Sequence, residues 1–341
     1  MLKLLRAHWF PLLLLLVVLA VLLRQTDSNI PDGSNHPDKL LPDFLPAAAV
    51  WQAPDSNTLG NDTAAQLIRY GRNLVANTAA YLGPKGTVAA ITNGMNCQNC
   101  HIDAGARPYG NCFSAVAATY PVYRPRSGHI ETIEFRVNDC LQRSLNGRPI
   151  DSSSKEMRAV VAYIKWLGAA TAKGSRPPGA GLQELGFIDK AASKEKGRLV
   201  FEQHCSRCHG TNGEGQFKFD SSAYVYPPLW GKHSYNTGAG MYRLSKLAAY
   251  VKDNMPFGTA AHNSPVLSDE QAWDVAAYIN TQPRPKKNLS HDWPDIRQKA
   301  FDYPFGPYTD GFTEEQHKYG PFAPIQRAKQ QAAEKKKNGA V

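Results

Sequence analysis

The sequence predicts a mainly α-helical chain built from two similar halves, and three observations carry that prediction. Two motifs of the form Cys-x-x-Cys-His recur, Cys97-Gln98-Asn99-Cys100-His101 and Cys205-Ser206-Arg207-Cys208-His209. An amphipathic stretch with a Gly-Arg pair precedes each motif: Ala64 to Val75 in the first half and Lys194 to Phe201 in the second. An apolar stretch follows each at some distance, Val160-Val161-Ala162-Tyr163-Ile164 and Val275-Ala276-Ala277-Tyr278-Ile279. Apolar residues at spacings of three and four mark both pairs of stretches as helices. Ser153 with Glu156, and Ser268 with Gln271, fit the capping box that starts a helix. Each half therefore reads as helix, motif, loops, helix.

A Cys-x-x-Cys-His run attaches one haem covalently through two thioether bonds, with its histidine binding the iron. A zinc site would gather four ligands from nearby pairs. A redox dithiol would not need the trailing histidine. The repeated helical context favours haem over both. Two covalently bound haem c groups are expected, on Cys97 and Cys100 and on Cys205 and Cys208, with His101 and His209 as axial ligands. The order helix, motif, helix resembles the class I cytochrome c fold, in which the first and last helices cross beside the haem. The expected fold is mainly α, with two class I cytochrome c-like domains of one covalent haem each, an N-terminal hydrophobic segment and an extended C-terminal wrap.

Along the chain, residues 1–28 open with Lys3 and Arg6, then an apolar run from Trp9 to Leu23 closed by Arg24. That is the n-region and h-region of an export segment. Its length lies between a signal peptide and a membrane span. No Ala-x-Ala pattern follows closely, so the reading inclines to a retained signal anchor, with cleavage of a signal peptide after Ser28 as the alternative. Either way the body is exported to the periplasmic side of the cytoplasmic membrane, where covalent haem attachment is completed in bacteria. Residues 29–61 read as a tether and 62–172 as the first cytochrome domain. Residues 173–190 read as a linker, rich in Gly and Pro as far as Gly186. Residues 191–282 form the second domain and 283–341 an extended segment with a basic tail. That tail, Glu334-Lys335-Lys336-Lys337, reads as a solvated, frayed end. The formal net charge is +10. Nucleic acid is excluded as a partner, because an exported haem protein has little access to it. The excess of base instead favours anionic substrates or an acidic electron partner.

The second axial ligand decides what each haem does. In the second half Met255 is well placed, because Pro256 ends the preceding helical pattern and leaves the methionine on a loop. Met241 is the runner-up, and ordinary core packing is the alternative for either. In the first half the candidates are Met157, His129, Cys112 and Cys140. Met157 falls beside the cap of the closing helix and reads as core. Cys112 and Cys140 could pair as a disulfide in an oxidising compartment. Residues Glu131 to Leu145 have helical periodicity, with Ile133, Val137, Leu141 and Leu145 on one face. Arg136, Cys140 and Ser144 then share a neighbouring stripe. A guanidinium beside a thiol favours thiolate, the species that binds iron and attacks sulfur. The bland reading is a surface arginine next to a buried thiol.

Several runs resemble the dihaem thiosulfate dehydrogenase family. They are Asn96 to Gly105, Arg136 to Gly147, Tyr226-Pro227-Pro228-Leu229-Trp230-Gly231 and Tyr303-Pro304-Phe305-Gly306-Pro307-Tyr308. The likeness extends from about Trp51 to Pro324, and the run holding Cys140 and Ser144 is its most specific part. The resemblance implies that Cys140 is the distal ligand opposite His101. It implies that Arg126 and Arg136 hold the sulfonate ends of the substrate, with Ser144 as a nearby polar group. It implies that Met255 is the ligand opposite His209 on an electron-transfer haem. Asn254 stands where some members have a lysine that competes with that methionine. The implied activity is oxidation of two thiosulfates to tetrathionate, or the reverse at the same site. Electrons would pass through the second haem to a small c-type cytochrome or a membrane oxidase. Rival readings are a non-catalytic dihaem electron-transfer cytochrome, a sulfur-carrier-loading cytochrome and a dihaem peroxidase.

Overall fold

Asp62 opens the first helix by accepting a hydrogen bond from the Ala65 amide (2.8 Å), in a computed structural model that describes residues 49–338. This helix, α1, spans Thr63–Ala76 and is followed by α2, Thr78–Leu82. The first Cys-x-x-Cys-His motif begins as a short 3₁₀ turn. Next come α3 (Val116–Thr119) and an antiparallel hairpin of β1 (Val122–Arg124) and β2 (His129–Glu131). Helices α4 (Ile133–Arg143) and α5 (Lys155–Leu167) complete the first half. The second half runs α6 (Lys194–His204), α7 (Ser206–His209), a hairpin of β3 (Gln216–Phe217) and β4 (Tyr224–Tyr226), α8 (Leu244–Asn254) and α9 (Asp269–Thr281). The N-terminal hydrophobic segment and most of the expected tether lie outside the described residues. Among the described residues no helix is long and apolar enough to cross a membrane.

The glycines of the two Gly-Arg pairs explain why the halves look alike. Helices α1 and α5 approach so closely that a Cβ on Gly71 would collide with the Ala159 carbonyl. In the second half, α6 and α9 meet in the same way, at Gly197 and the Asp274 carbonyl. Only a residue without a side chain permits such an approach. Around the first crossing lie Val75, Met157, Val161 and Ile164, so Met157 is core as expected. Around the second lie Phe201, Leu244, Trp273 and Val275.

Three local details differ from the sequence reading. Helix α4 starts at Ile133 because Thr132 accepts from the Phe135 amide, which leaves Glu131 in β2. Helix α5 is capped by Ser154, which accepts from the Met157 amide (3.1 Å), while Ser153 is held by Asp151. Ser268 and Gln271 do form the expected reciprocal box.

The third difference concerns the C-terminus. Its first part is extended, as expected, but α10 (Glu314–Tyr319) and α11 (Phe322–Asn338) follow. The basic tail is therefore helical where a frayed end was expected. Phe322 and Ile325, 2% and 0% exposed, anchor α11 in the second core. Its Ala-, Gln- and Lys-rich continuation consists of strong helix formers. At the other end of the body, Trp51 packs into the first core and donates its amide to the Pro178 carbonyl (2.9 Å).

Candidate functional site

The first motif forms one wall of a cavity of about 280 Å³. Cys97, Cys100 and His101 line it, with Val75, Phe113, Val116, Val137 and Ile164 giving it apolar sides. His101 donates from Nδ1 to the Asn111 carbonyl (2.6 Å), since a carbonyl can only accept. That hydrogen bond fixes the tautomer and leaves Nε2 with a free lone pair, as an iron ligand requires. Burial pushes the imidazole down to about 4, against the opposing pull of the Asn111 carbonyl, so it is neutral at ordinary pH. A flat apolar slot with two thiols and an oriented imidazole fits a covalently held haem.

Cys140 lines the same cavity, on α4. Arg136 and Ser144, one turn before and one turn after it, line the cavity too, so the stripe read from the sequence faces the site. Cys140 is the main influence holding Arg136 above its usual range; burial opposes it and Asp139 adds to it. No disulfide forms. Cys112 is buried, with its Sγ donating to the Gly179 carbonyl (3.1 Å) and lying 3.3 Å from Ser114 Oγ. His129 sits exposed on β2 against Phe135, away from the cavity.

A second cavity, of about 390 Å³, opens beside the first. It shares Cys100, His101, Asn111, Arg124, Arg136, Cys140 and Ser144 with it. Its other walls are Arg126 from the first hairpin, Met241, Arg243 and Lys246 around the start of α8, and Trp293 and Tyr303 from the C-terminal segment. Five cationic side chains and no carboxylate line it. Met241, the runner-up ligand for the second motif, lines this cavity and packs in one cluster with Cys100 and Met255.

Behind the cavity wall sits Asp139, with a side chain 8% exposed. Arg126, Arg136 (2.5 Å) and Arg143 all donate to it, and Arg143 also grips Asp292 through two bonds of 2.8 and 2.9 Å. Burial alone would raise the Asp139 carboxyl, but the three guanidiniums outweigh it and hold the group below its usual range. Arg126 is fixed further by the Gly238 carbonyl (3.1 Å). Arg126 and Arg136 are thus rigidly aimed, as bidentate recognition of an oxyanion needs.

Cys205 and Cys208 flank the start of α7, and His209 donates from Nδ1 to the Pro227 carbonyl (2.8 Å). Burial lowers this imidazole as well. Met255 follows α8 directly and, like Cys205, packs at the edge of the second core. Cys205, Cys208 and His209 repeat the two thiols and the oriented imidazole of the first half. Tyr250 of α8 donates to the Asn99 carbonyl inside the first motif (2.8 Å), which ties the two motif regions together.

The sequence reading missed Arg124, Arg243, Lys246 and Trp293, and met Tyr303 only in the run that carries the family resemblance, not as a site residue. For Arg124 a signal existed, because it precedes Arg126 by two residues in a strand-like run, and residues two apart share a face. The others have no local signal, since packing alone brings them to the site.

Residues 87–170 match the SoxA/TsdA cytochrome c domain family, and residues 194–283 match the Cytochrome c family. The chain is 37% identical over 245 residues to a thiosulfate dehydrogenase of Psychrobacter arcticus, covering 71% of each chain. It is 34% identical over 244 residues to one of Allochromatium vinosum, covering 70% of this chain and 86% of that relative. A solved thiosulfate dehydrogenase (TsdBA) from Marichromatium purpuratum, in its as-isolated form, superposes with a TM-score of 0.64 at 29% identity. That match covers 79% of this chain and 53% of the other, so the chain spans about half the length of that neighbour. With both halves matched to cytochrome c families and these relatives covered over more than two thirds of their length, the chain belongs to the thiosulfate dehydrogenase family of dihaem c-type cytochromes.

Proposed function

We propose that the protein is an exported oxidoreductase that couples two thiosulfates into tetrathionate at Cys140. Electrons leave through the site at His209 and Met255. One observation carries the reading: Cys140 and Arg136 share a helix face that lines both the slot at His101 and a cavity lined by five cations. Two covalently held haems supply the one-electron acceptors.

The chain's own residues account for the rest. Arg126 and Arg136 hold the sulfonate of the first thiosulfate, with Ser144 as a further hydrogen-bond donor. The Cys140 thiolate and the sulfane sulfur form an S–S bond with loss of two electrons, giving a thiosulfonate adduct on the cysteine. The sulfane sulfur of a second thiosulfate attacks that sulfane sulfur. The new S–S bond completes tetrathionate, and the Cys140–sulfur bond breaks to return the thiolate. In reverse, the same steps reduce tetrathionate. The Asp139 cluster keeps the arginines in place throughout. In this reading the chemistry belongs to the first domain, before the linker at residues 173–190, and electron exit, towards a small c-type cytochrome or membrane oxidase, to the second.

The test is an assay of the purified holoprotein with thiosulfate and an artificial electron acceptor, with and without replacement of Cys140 by Gly. Tetrathionate formation by the parent and its loss in Cys140→Gly, with both haems still attached, supports the assignment. Full activity in Cys140→Gly sinks it. A requirement for an added carrier protein would instead favour the sulfur-carrier-loading reading, which the SoxA/TsdA match makes the natural rival.

A further inference from the structure

The proposed reaction joins two dianions, yet the arginines assigned above have charge for little of one. Arg126, Arg136 and Arg143 face Asp139 and Asp292, so three guanidiniums against two carboxylates leave a single positive charge. A second dianion approaching the same cavity would be repelled by the first unless other cations meet it.

The 390 Å³ cavity supplies them, Arg124 from a wall shared with the slot at His101 and Lys246 from the opposite half of the chain. Arg124 ends β1 and is exposed, and among the described residues it has no carboxylate within 4.0 Å. From the other side come Arg243 and Lys246, at the start of α8. Arg243 is committed: Asp302, its side chain 1% exposed, binds it at 2.7 and 2.9 Å and also takes the Ser245 hydroxyl and amide. Lys246 is not. Its one carboxylate neighbour among the described residues is Glu184 at 3.5 Å, and the Glu184 side chain is 87% exposed. Such a surface pair is worth little and yields readily to a better partner. Two uncommitted cations, contributed by different halves of the chain, therefore line the cavity that also holds Cys140.

We propose that Arg124 and Lys246 form a second anion subsite, which binds the attacking thiosulfate while Arg126 and Arg136 hold the first. The proposal rests on the thiosulfate-coupling reading and deepens it. Four negative charges enter across the two steps. The inner cluster offsets part of the first pair, and Arg124 with Lys246 matches the second. Because Arg124 is exposed and the Lys246 side chain is 32% exposed, the pair also attracts the anion from solution, an effect that salt weakens.

The experiment uses the holoprotein with thiosulfate and an artificial acceptor. The variants are Arg124→Gln, Lys246→Gln and the pair together, each checked for both haems and for its thermal midpoint. Each single change should raise KM for thiosulfate about tenfold, with a weaker salt dependence than the parent. The second step alone should suffer, so mass spectrometry of protein quenched during turnover should find the Cys140 thiosulfonate accumulating in the double variant. Arg124→Lys and Lys246→Arg should recover the parent KM. Glu184→Gln, which frees Lys246, should lower KM at low salt and provides a test that does not depend on the loss variants folding. An active parent whose variants show unchanged KM and no accumulated adduct overturns the subsite alone. A parent that fails to oxidise thiosulfate overturns the functional reading, and the subsite with it.

Discussion

The Trp293 amide donates to the Arg126 carbonyl at 2.6 Å, which fastens the C-terminal segment to the hairpin that carries the two cavity arginines Arg124 and Arg126. Next to this contact Pro294 packs on Gly128, and the Trp293 ring meets Tyr303 edge-on at 4.8 Å. Lys299 lies among the rings of Trp293, Tyr303, Phe305 and Tyr308 and donates to the Phe305 and Pro307 carbonyls. The segment is therefore a fixed wall of the cavity.

Removing that wall tests its part in binding. Trp293→Ala should cost about 3 kcal/mol of stability, as truncation of a buried tryptophan does. It should raise KM for thiosulfate more than it lowers kcat, because it loosens the arginine hairpin and leaves Cys140 in place. Steady-state kinetics beside a thermal melt would show both effects.

Asp139 predicts an acid response. Its folded-state carboxyl lies below the usual range, so the stabilisation it provides is complete above the unfolded value near 3.9 and is lost as pH falls through the lower folded value. Thermal midpoints of the parent should drop steeply only below about pH 4. Asp139→Asn should lose about 3 kcal/mol at pH 7, because it leaves three clustered guanidiniums without their shared carboxylate. It should also show a shallower acid decline than the parent.

Met255→Ala distinguishes a relay from a passive core position. Both thioether attachments at Cys205 and Cys208 should survive. The red-region absorption that marks methionine on ferric haem should vanish, and electron transfer to an external acceptor should slow. A visible spectrum identical to that of the parent would remove Met255 from the ligand set.

Gly71→Ala addresses the fold. The added methyl meets the Ala159 carbonyl, and α1 and α5 must separate to admit it. A loss of about 1–3 kcal/mol is expected, read as a lower denaturation midpoint. Gly197→Ala should do the same to the second half.

What the sequence revealed and what it hid divide by distance along the chain. The Arg136, Cys140 and Ser144 stripe was legible because one helix of α4 determines it, and helical periodicity is local. The Ser268–Gln271 cap was legible for the same reason. Lys246 and Tyr303 reach the cavity from more than a hundred residues beyond Cys140, and no periodicity links them to it. The tail's exposure followed from its charge, as at Glu334 and Lys335, but its helix was hidden because Phe322 and Ile325, which anchor the start of α11, find their partners only in the folded second core. Ser153 against Ser154 was a choice between adjacent serines, settled by the Asp151 carboxylate that holds the first of them.

The cavity walls come from the first hairpin, from α8 and from the segment through Tyr303. The last of these is also the last to leave the ribosome. A nascent or clipped chain that ends before Tyr303 carries both haem-attachment motifs and Cys140 but only part of the enclosure around the thiol. Colour and enclosure therefore report different things: colour needs only the two attachment motifs, whereas a complete cavity wall needs the chain as far as Tyr303.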